Sequence, residues 1–187
     1  MSPAYVQELA YQPDYYEGLK VWAYAPSHYY KKSVKEDDYS FNILRSKSQD
    51  MSDYFYPRIK AMHDELKKEG KIGQFDLVVV IPKSEKGAFS PTLIGIGKKL
   101  ATETGSVFEL ILERNHSLPK SRELDLKKRY ERIYGSISLL RNLEKNEKAI
   151  LLLDDTLTTG VSCLESATQL KAVGADNIIL FCLGINY

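Results

Sequence analysis

Short apolar runs alternate with stretches of helical periodicity through the later part of the chain. The continuous apolar runs predict buried strands, and they cover 75–81, 107–112, 148–153 and 177–185. Apolar residues at helical spacing predict three helices, over 48–69, 90–103 and 162–173. Because strand and helix alternate, we predict an α/β fold with a mainly parallel sheet flanked by helices.

Local signals refine these elements. Ser90 followed by Pro91 predicts a helix start, since serine caps helices and proline is favoured at the first helical position. Pro57 is expected either to kink the first helix or to mark its true start. The polar stretch 113–128 is expected to be a mobile loop, and 132–140 is expected to be strand-like.

The strand over 148–153 ends in two adjacent carboxylates, Asp154 and Asp155. Open α/β sheets bind ligands at the carboxyl ends of their strands. The short turn that follows leads into a helix and contains Thr158, Thr159, Gly160 and Ser162. Backbone N–H groups at such a helix start can hold a phosphate, assisted by the helix dipole. Carboxylates that bind hydroxyls beside a phosphate site suit a ribose 5-phosphate. The alternative is an ordinary strand–turn–helix in which aspartate forms the turn.

Composition narrows the class of protein. The 187 residues are enough for one α/β domain with a core. The net charge of +1 gives no overall reason to expect a nucleic-acid or membrane surface. Cys163 and Cys182 lack the spacing of a zinc or disulfide framework, so we expect buried, reduced thiols. With no signal peptide pattern and no membrane-spanning run, a cytoplasmic location is expected.

The segment 149–162 resembles the phosphoribosyl-pyrophosphate (PRPP) signature of type I phosphoribosyltransferases. The shared order is an apolar strand, Asp-Asp, two variable residues and Thr-Thr-Gly. The resemblance implies that Asp154 and Asp155 hold the ribose 2′- and 3′-hydroxyls. It also implies a group of residues around the 5′-phosphate, namely Thr156, Thr158, Thr159, Gly160, Val161 and Ser162.

Two further loops lie where this family contacts pyrophosphate. The first follows the strand over 75–81, and the second is the basic stretch 114–132, which would close over PRPP and exclude water. The pyrophosphate candidates are Lys83, Ser84, Lys86, Gly87, Arg114 and Lys120. The alternatives are an ordinary turn and a solvated charged loop.

Within the family, these loops are similar to the ComF-like group. The similar parts are Lys86–Gly87 with Phe89, and Arg114 at the start of the basic loop. The similarity covers 75–187, so we expect a single domain of 1–187 with a PRPP-binding core at 75–187 and a variable N-terminal hood at 1–74. The hood lacks the cysteine-rich zinc element of many ComF-like proteins. It holds ten of the 13 tyrosines, which would either cover the sheet edge and a subunit contact or stack on a base.

The resemblance implies transfer of a phosphoribosyl group from PRPP, with Mg²⁺, to or from a base or nucleotide-type acceptor, an activity of the glycosyltransferase class. One alternative is a regulatory module that binds PRPP or a nucleotide without turnover. Another is an effector subunit of a bacterial antiviral complex, with nucleic acid contacted only through a partner. A homo-oligomer or a subunit of a larger complex is expected, without membrane contact.

Overall fold

The computed structural model describes residues 5–10, 16, 19–30, 37–118 and 126–186. The strands are β1 Tyr5–Ala10, β2 Lys20–Ala25, β3 His28–Tyr29, β4 Leu77–Val80, β5 Val107–Phe108, β6 Leu112–Arg114, β7 Ile137–Leu139, β8 Ala149–Leu157 and β9 Asn177–Asn186. The helices are α1 Asp38–Ser46, α2 Ser52–Lys68, α3 Pro91–Thr104, α4 Leu126–Ile133 and α5 Val161–Ala172. Within these ranges, every helix is too short or too polar to cross a membrane.

The main sheet has the order β1-β2-β9-β8-β4-β5, and β3 also pairs with β9. Every pairing in it is parallel except that of β1 with β2. Strands β6 and β7 form a separate antiparallel pair. Helices cover both faces, so the predicted α/β class with a mainly parallel, helix-flanked sheet is confirmed.

Alternate residues of the central strand β8 feed two cores. Ile150 and Leu152 pack in the core that contains the apolar face of α5, while Leu151 and Leu153 pack in the core under α2 and α3. All four side chains are buried. A strand buried on both faces reads as a continuous apolar run, which explains why the sequence identifies it.

The region after α3 differs from its prediction. The run 107–112 is divided between β5 and β6, because the chain leaves the main sheet after Phe108 and pairs with β7 instead. Helix α4 occupies the end of the predicted loop 113–128 and the start of the predicted strand 132–140. Tyr130 supplies a buried apolar contact on α4 despite the many charges around it.

The N-terminal portion belongs to the main sheet through β2, which pairs with β9. Tyr16 and Tyr24 are buried core residues, so neither of these two tyrosines offers an exposed ring on which a base could stack. The first of the three predicted helices corresponds to α2, which begins at Ser52 rather than at residue 48. Pro57 lies inside α2 and does not mark its start. Helix α1, which precedes it, was missed by the sequence interpretation.

Candidate functional site

The candidate site lies where β8 runs past the end of β4. The two strands pair as far as Leu153 opposite Val80, and β8 continues along β9 to Leu157 opposite Ile185. The strand is therefore longer than the predicted 148–153, because β9 provides partners beyond the end of β4. The residues of β8 just after Leu153 lie at the carboxyl edge of the sheet, where α/β folds bind ligands.

Asp155 lies at this edge and uses both of its carboxylate oxygens. Oδ1 accepts hydrogen bonds from the backbone N–H and the hydroxyl of Thr156, at 2.6 and 2.9 Å. Oδ2 is 3.0 Å from Nζ of Lys47, which follows α1. Burial works against the charge of Lys47, but Asp155 and Asp154 outweigh it and raise the pKa of this lysine. Lys47 therefore stays charged across the physiological pH range.

Asp154 is the second carboxylate of the pair, and its environment disfavours the charged form. Burial, followed by repulsion from Asp155, raises the pKa of Asp154 to about 7, while Lys47 and Arg114 act in the opposite direction. Its Oδ1 accepts a hydrogen bond from the N–H of Asp155 at 2.8 Å. A partly protonated pair can both donate to and accept from adjacent hydroxyls, which suits a vicinal diol such as the ribose 2′- and 3′-hydroxyls.

The turn after β8 leaves the start of α5 without a side-chain cap. Gly160, the N-cap, has φ +71°, and no side chain caps the helix. The first N–H groups of a helix have no partner within it, so an anion can bind them. Thr158 is exposed and Thr159 half-buried beside this position. Val161 is buried in the core, so only its backbone can face a ligand.

The loop after β4 is folded on itself. The N–H of Lys83 donates to the carbonyl of Ala88 at 2.9 Å, and the N–H of Lys86 donates to Ser117 Oγ at 3.0 Å. The backbone N–H groups of these two pyrophosphate candidates are thus already engaged, so a ligand would have to compete for them. The exposed candidates in this loop are Ser84, Lys86 and Gly87.

Arg114 is buried, with 2% of its surface exposed. Its guanidinium donates to the carbonyls of Pro82 and Lys83, at 3.3 and 3.2 Å, and to the hydroxyls of Ser136 and Ser162, at 2.7 and 3.4 Å. Burial lowers its pKa, and the nearby Asp154 opposes that effect. Arg114 therefore ties the loop after β4 to the start of α5. Its contact with pyrophosphate stays a prediction.

The N-terminal portion packs against α5 and the turn that precedes it. A Cβ atom at Gly160 would be 2.8 Å from Cδ2 of Leu9, so the two residues are packed in close contact. The hydroxyl of Tyr16 donates to Glu165 at 3.0 Å, and the N–H of Gly135 donates to the same carboxylate at 3.0 Å. Burial raises the pKa of Glu165. The N-terminal portion and the segment after α4 thus both contact α5 through Glu165.

Hydrogen bonds bring three of the predicted site residues together, namely Lys83, Arg114 and Ser162. Arg114 links the loop after β4 to Ser162, and the ammonium of Lys83 donates to the carbonyl of Lys47 at 2.5 Å. Lys120 lies outside the described residues. Lys47 was missed, since no local motif surrounds it and its place depends on contacts with distant residues.

The oxygen-rich chemistry of this site fits Mg²⁺ only if a ligand completes the coordination. No group of three or more His, Cys, Asp or Glu side chains in the described ranges could hold a metal ion. Mg²⁺ commonly uses one or two carboxylates together with substrate phosphates and water. Asp154 and Asp155 can serve such an ion, or the hydroxyls beside it, once phosphate oxygens are present.

A cleft of about 430 Å³ lies at the opposite edge of the sheet from Asp154 and Asp155. Its basic residue Arg141 pairs with Glu109 and with Glu147, whose carboxylate is 2.7 Å away. This arrangement satisfies the guanidinium internally, and it leaves the carboxyl edge as the better candidate for an anionic ligand.

No protein-family model matches the chain, and no curated protein matches it. Among solved structures, one described as the structure of the allosteric regulatory enzyme of purine biosynthesis has a TM-score of 0.41 and 21% identity. The alignment covers 63% of this chain and 23% of that chain, so the present chain spans about a quarter of the matched protein. A likeness of this degree assigns neither a family nor an activity.

Proposed function

We propose that the protein binds PRPP with Mg²⁺ and transfers its phosphoribosyl group to a base or nucleotide-type acceptor. One observation carries the proposal: a carboxylate pair near the end of β8 is followed, after a short turn, by the uncapped start of α5. A ribose 5-phosphate needs acceptors for two hydroxyls and donors for one phosphate. Both sets are offered here by one continuous segment.

The ribose hydroxyls are assigned to Asp154 and Asp155. The 5′-phosphate is assigned to the first N–H groups of α5, including that of Val161, with hydroxyls from Thr158 and Thr159. Helix N-termini bind phosphate because their unpaired N–H groups and the helix dipole both favour negative charge. The buried Val161 side chain fixes this part of the backbone to the core.

The reaction breaks the bond between C1 of the ribose and the pyrophosphate oxygen, and pyrophosphate leaves with the electron pair. A nitrogen or oxygen of the acceptor then forms a bond to C1 from the opposite face and passes its proton to a water molecule. The carboxylates beside the ring stabilise the positive charge that develops at C1. Mg²⁺, when bound with PRPP, offsets charge on the pyrophosphate oxygens. Arg114 holds the loop after β4 and the start of α5 in one arrangement.

A pyrophosphate-release assay with PRPP, Mg²⁺ and a panel of purine and pyrimidine bases tests this proposal. We expect release that depends on one class of base and on Mg²⁺. Binding of PRPP without release for any acceptor would favour a regulatory role for the same site. If the protein neither binds PRPP nor releases pyrophosphate from it, the proposal is contradicted.

A further inference from the structure

Lys47 is the cation nearest to the carboxylate pair that the sequence interpretation did not assign. Its Nζ is 3.0 Å from Asp155 Oδ2, and the lysine side chain is 46% exposed. The other oxygen of Asp155 already accepts two hydrogen bonds from Thr156. A ribose hydroxyl that binds Asp155 must therefore share Oδ2 with Lys47 or displace it.

The position of Lys47 is fixed by its neighbours in the chain. The carbonyl of Ser46 accepts hydrogen bonds from the hydroxyls of Ser90 and Thr92, at 3.1 and 3.3 Å. Thr92 also donates to the carbonyl of Gln49 at 2.9 Å. Because these donors are buried at the start of α3, the backbone on both sides of Lys47 is anchored while its side chain remains partly solvated.

The same lysine lies beside the loop assigned to pyrophosphate. The ammonium of Lys83 donates to the backbone carbonyl of Lys47 at 2.5 Å, so the two residues are adjacent. Arg114, the other cation close to Asp154, is buried and engaged by four acceptors. A partly exposed ion pair is weak, and its lysine can exchange one anionic partner for another at little cost.

We propose that Lys47 is a displaceable counter-ion of this site: it neutralises Asp155 in the free protein and moves to pyrophosphate oxygens when PRPP binds. This inference rests on the proposed function. Neutralising Asp155 lowers the repulsion that an incoming polyanion meets. Release of Lys47 then frees Oδ2 for a ribose hydroxyl and supplies positive charge to the leaving group.

We therefore expect different effects of a neutral substitution at Lys47 on two ligands that differ only in pyrophosphate. In Lys47→Met, the affinity for PRPP with Mg²⁺ should fall at least about tenfold, because a charge-assisted contact is lost. The affinity for ribose 5-phosphate should stay unchanged or increase, because Asp155 no longer has a competing partner. Lys47→Arg should retain most of the PRPP affinity.

Calorimetric titration of wild type, Lys47→Met and Lys47→Arg with each ligand tests this prediction. Lys99→Met is the matched control, because Lys99 pairs with Asp53 and has a similar exposed fraction of 38%. It should change neither affinity. Lys47→Gln provides a second neutral variant if Lys47→Met melts earlier than wild type.

Equal loss of affinity for both ligands would assign Lys47 a structural role and overturn the inference. Unchanged affinity for PRPP in both neutral variants would also overturn it, while the proposed function would stand. A wild-type protein that binds neither ligand would instead contradict the proposed function, and this inference with it.

Discussion

Two parts of the chain build the candidate site in different ways. In one part, β8, the turn and α5 form one continuous segment whose strand end and helix start supply the acceptors and donors. The other part is N-terminal and uses long-range contacts: Leu9 and Tyr16 contact α5, and Lys47 contacts Asp155 on β8. The continuous segment should therefore determine whether PRPP binds. The N-terminal side should adjust affinity and stability.

The largest expected effect comes from the continuous segment. Asp154→Asn together with Asp155→Asn should reduce PRPP affinity by about a hundredfold or more, because charge-assisted hydrogen bonds to both hydroxyls are lost. The fold should persist, since the two residues lie at the sheet edge and the strand pairing uses the backbone. Calorimetry measures the affinity and circular dichroism the fold. Asp176→Asn, at an exposed aspartate, serves as the control. Unchanged PRPP affinity in a folded double variant would contradict the assignment of Asp154 and Asp155 to the site.

Arg114→Met should lower the free energy of unfolding by about 3 kcal/mol, because buried hydrogen-bond partners are left unsatisfied. The loop after β4 and the start of α5 would lose their common anchor. Urea denaturation measures this loss. The exposed Arg45→Met provides the control and should change stability little. If the two variants are equally stable, Arg114 does not hold these segments together.

The contact between Leu9 and α5 can be tested with two glycines of similar conformation. Gly160 and Gly135 have φ of +71° and +69°, but a Cβ atom meets Leu9 only at Gly160. Gly135→Ala should cost about 1 kcal/mol from backbone strain, and Gly160→Ala about 2–3 kcal/mol in total. In a Leu9→Ala background, Gly160→Ala should cost only as much as Gly135→Ala does in wild type, although Leu9→Ala lowers stability by itself. Equal costs at both glycines would show that Leu9 can yield without penalty.

The smallest effect concerns Glu165 and pH. Because burial raises its pKa in the folded protein, the folded state binds this proton more tightly than the unfolded state. The stabilisation is complete below the ordinary glutamate pKa of about 4 and is lost as pH rises through the raised value. Glu165→Gln should therefore gain stability relative to wild type as pH increases from 4 to 8. Thermal melting across pH measures the difference. A constant difference would indicate that Glu165 has an ordinary pKa.

The elements predicted from sequence are those with a local cause. Continuous apolar runs mark β4, β8 and β9, and Ser90 with Pro91 marks the start of α3, because burial on both faces and helix capping leave direct traces in the sequence. Helix α4 was missed because its charges conceal the buried Tyr130.

The residues of the candidate site also differ in whether their place has a local cause in the sequence. Asp154, Asp155 and the turn could be predicted as site residues because they are consecutive in the sequence. Lys47 was not, since its position depends on hydrogen bonds from Ser90 to Ser46, which are 44 residues apart. Arg114 was predicted as a site residue, but its burial could not be predicted, because it depends on four partners from separate segments.

A crystal structure with ribose 5-phosphate bound tests the central claim most directly. We predict that the phosphate lies within hydrogen-bonding distance of the first N–H groups of α5, and that the 2′- and 3′-hydroxyls contact Asp154 and Asp155. A ligand in the cleft around Arg141, or a sugar at the carboxyl edge without contact to either carboxylate, would contradict the account.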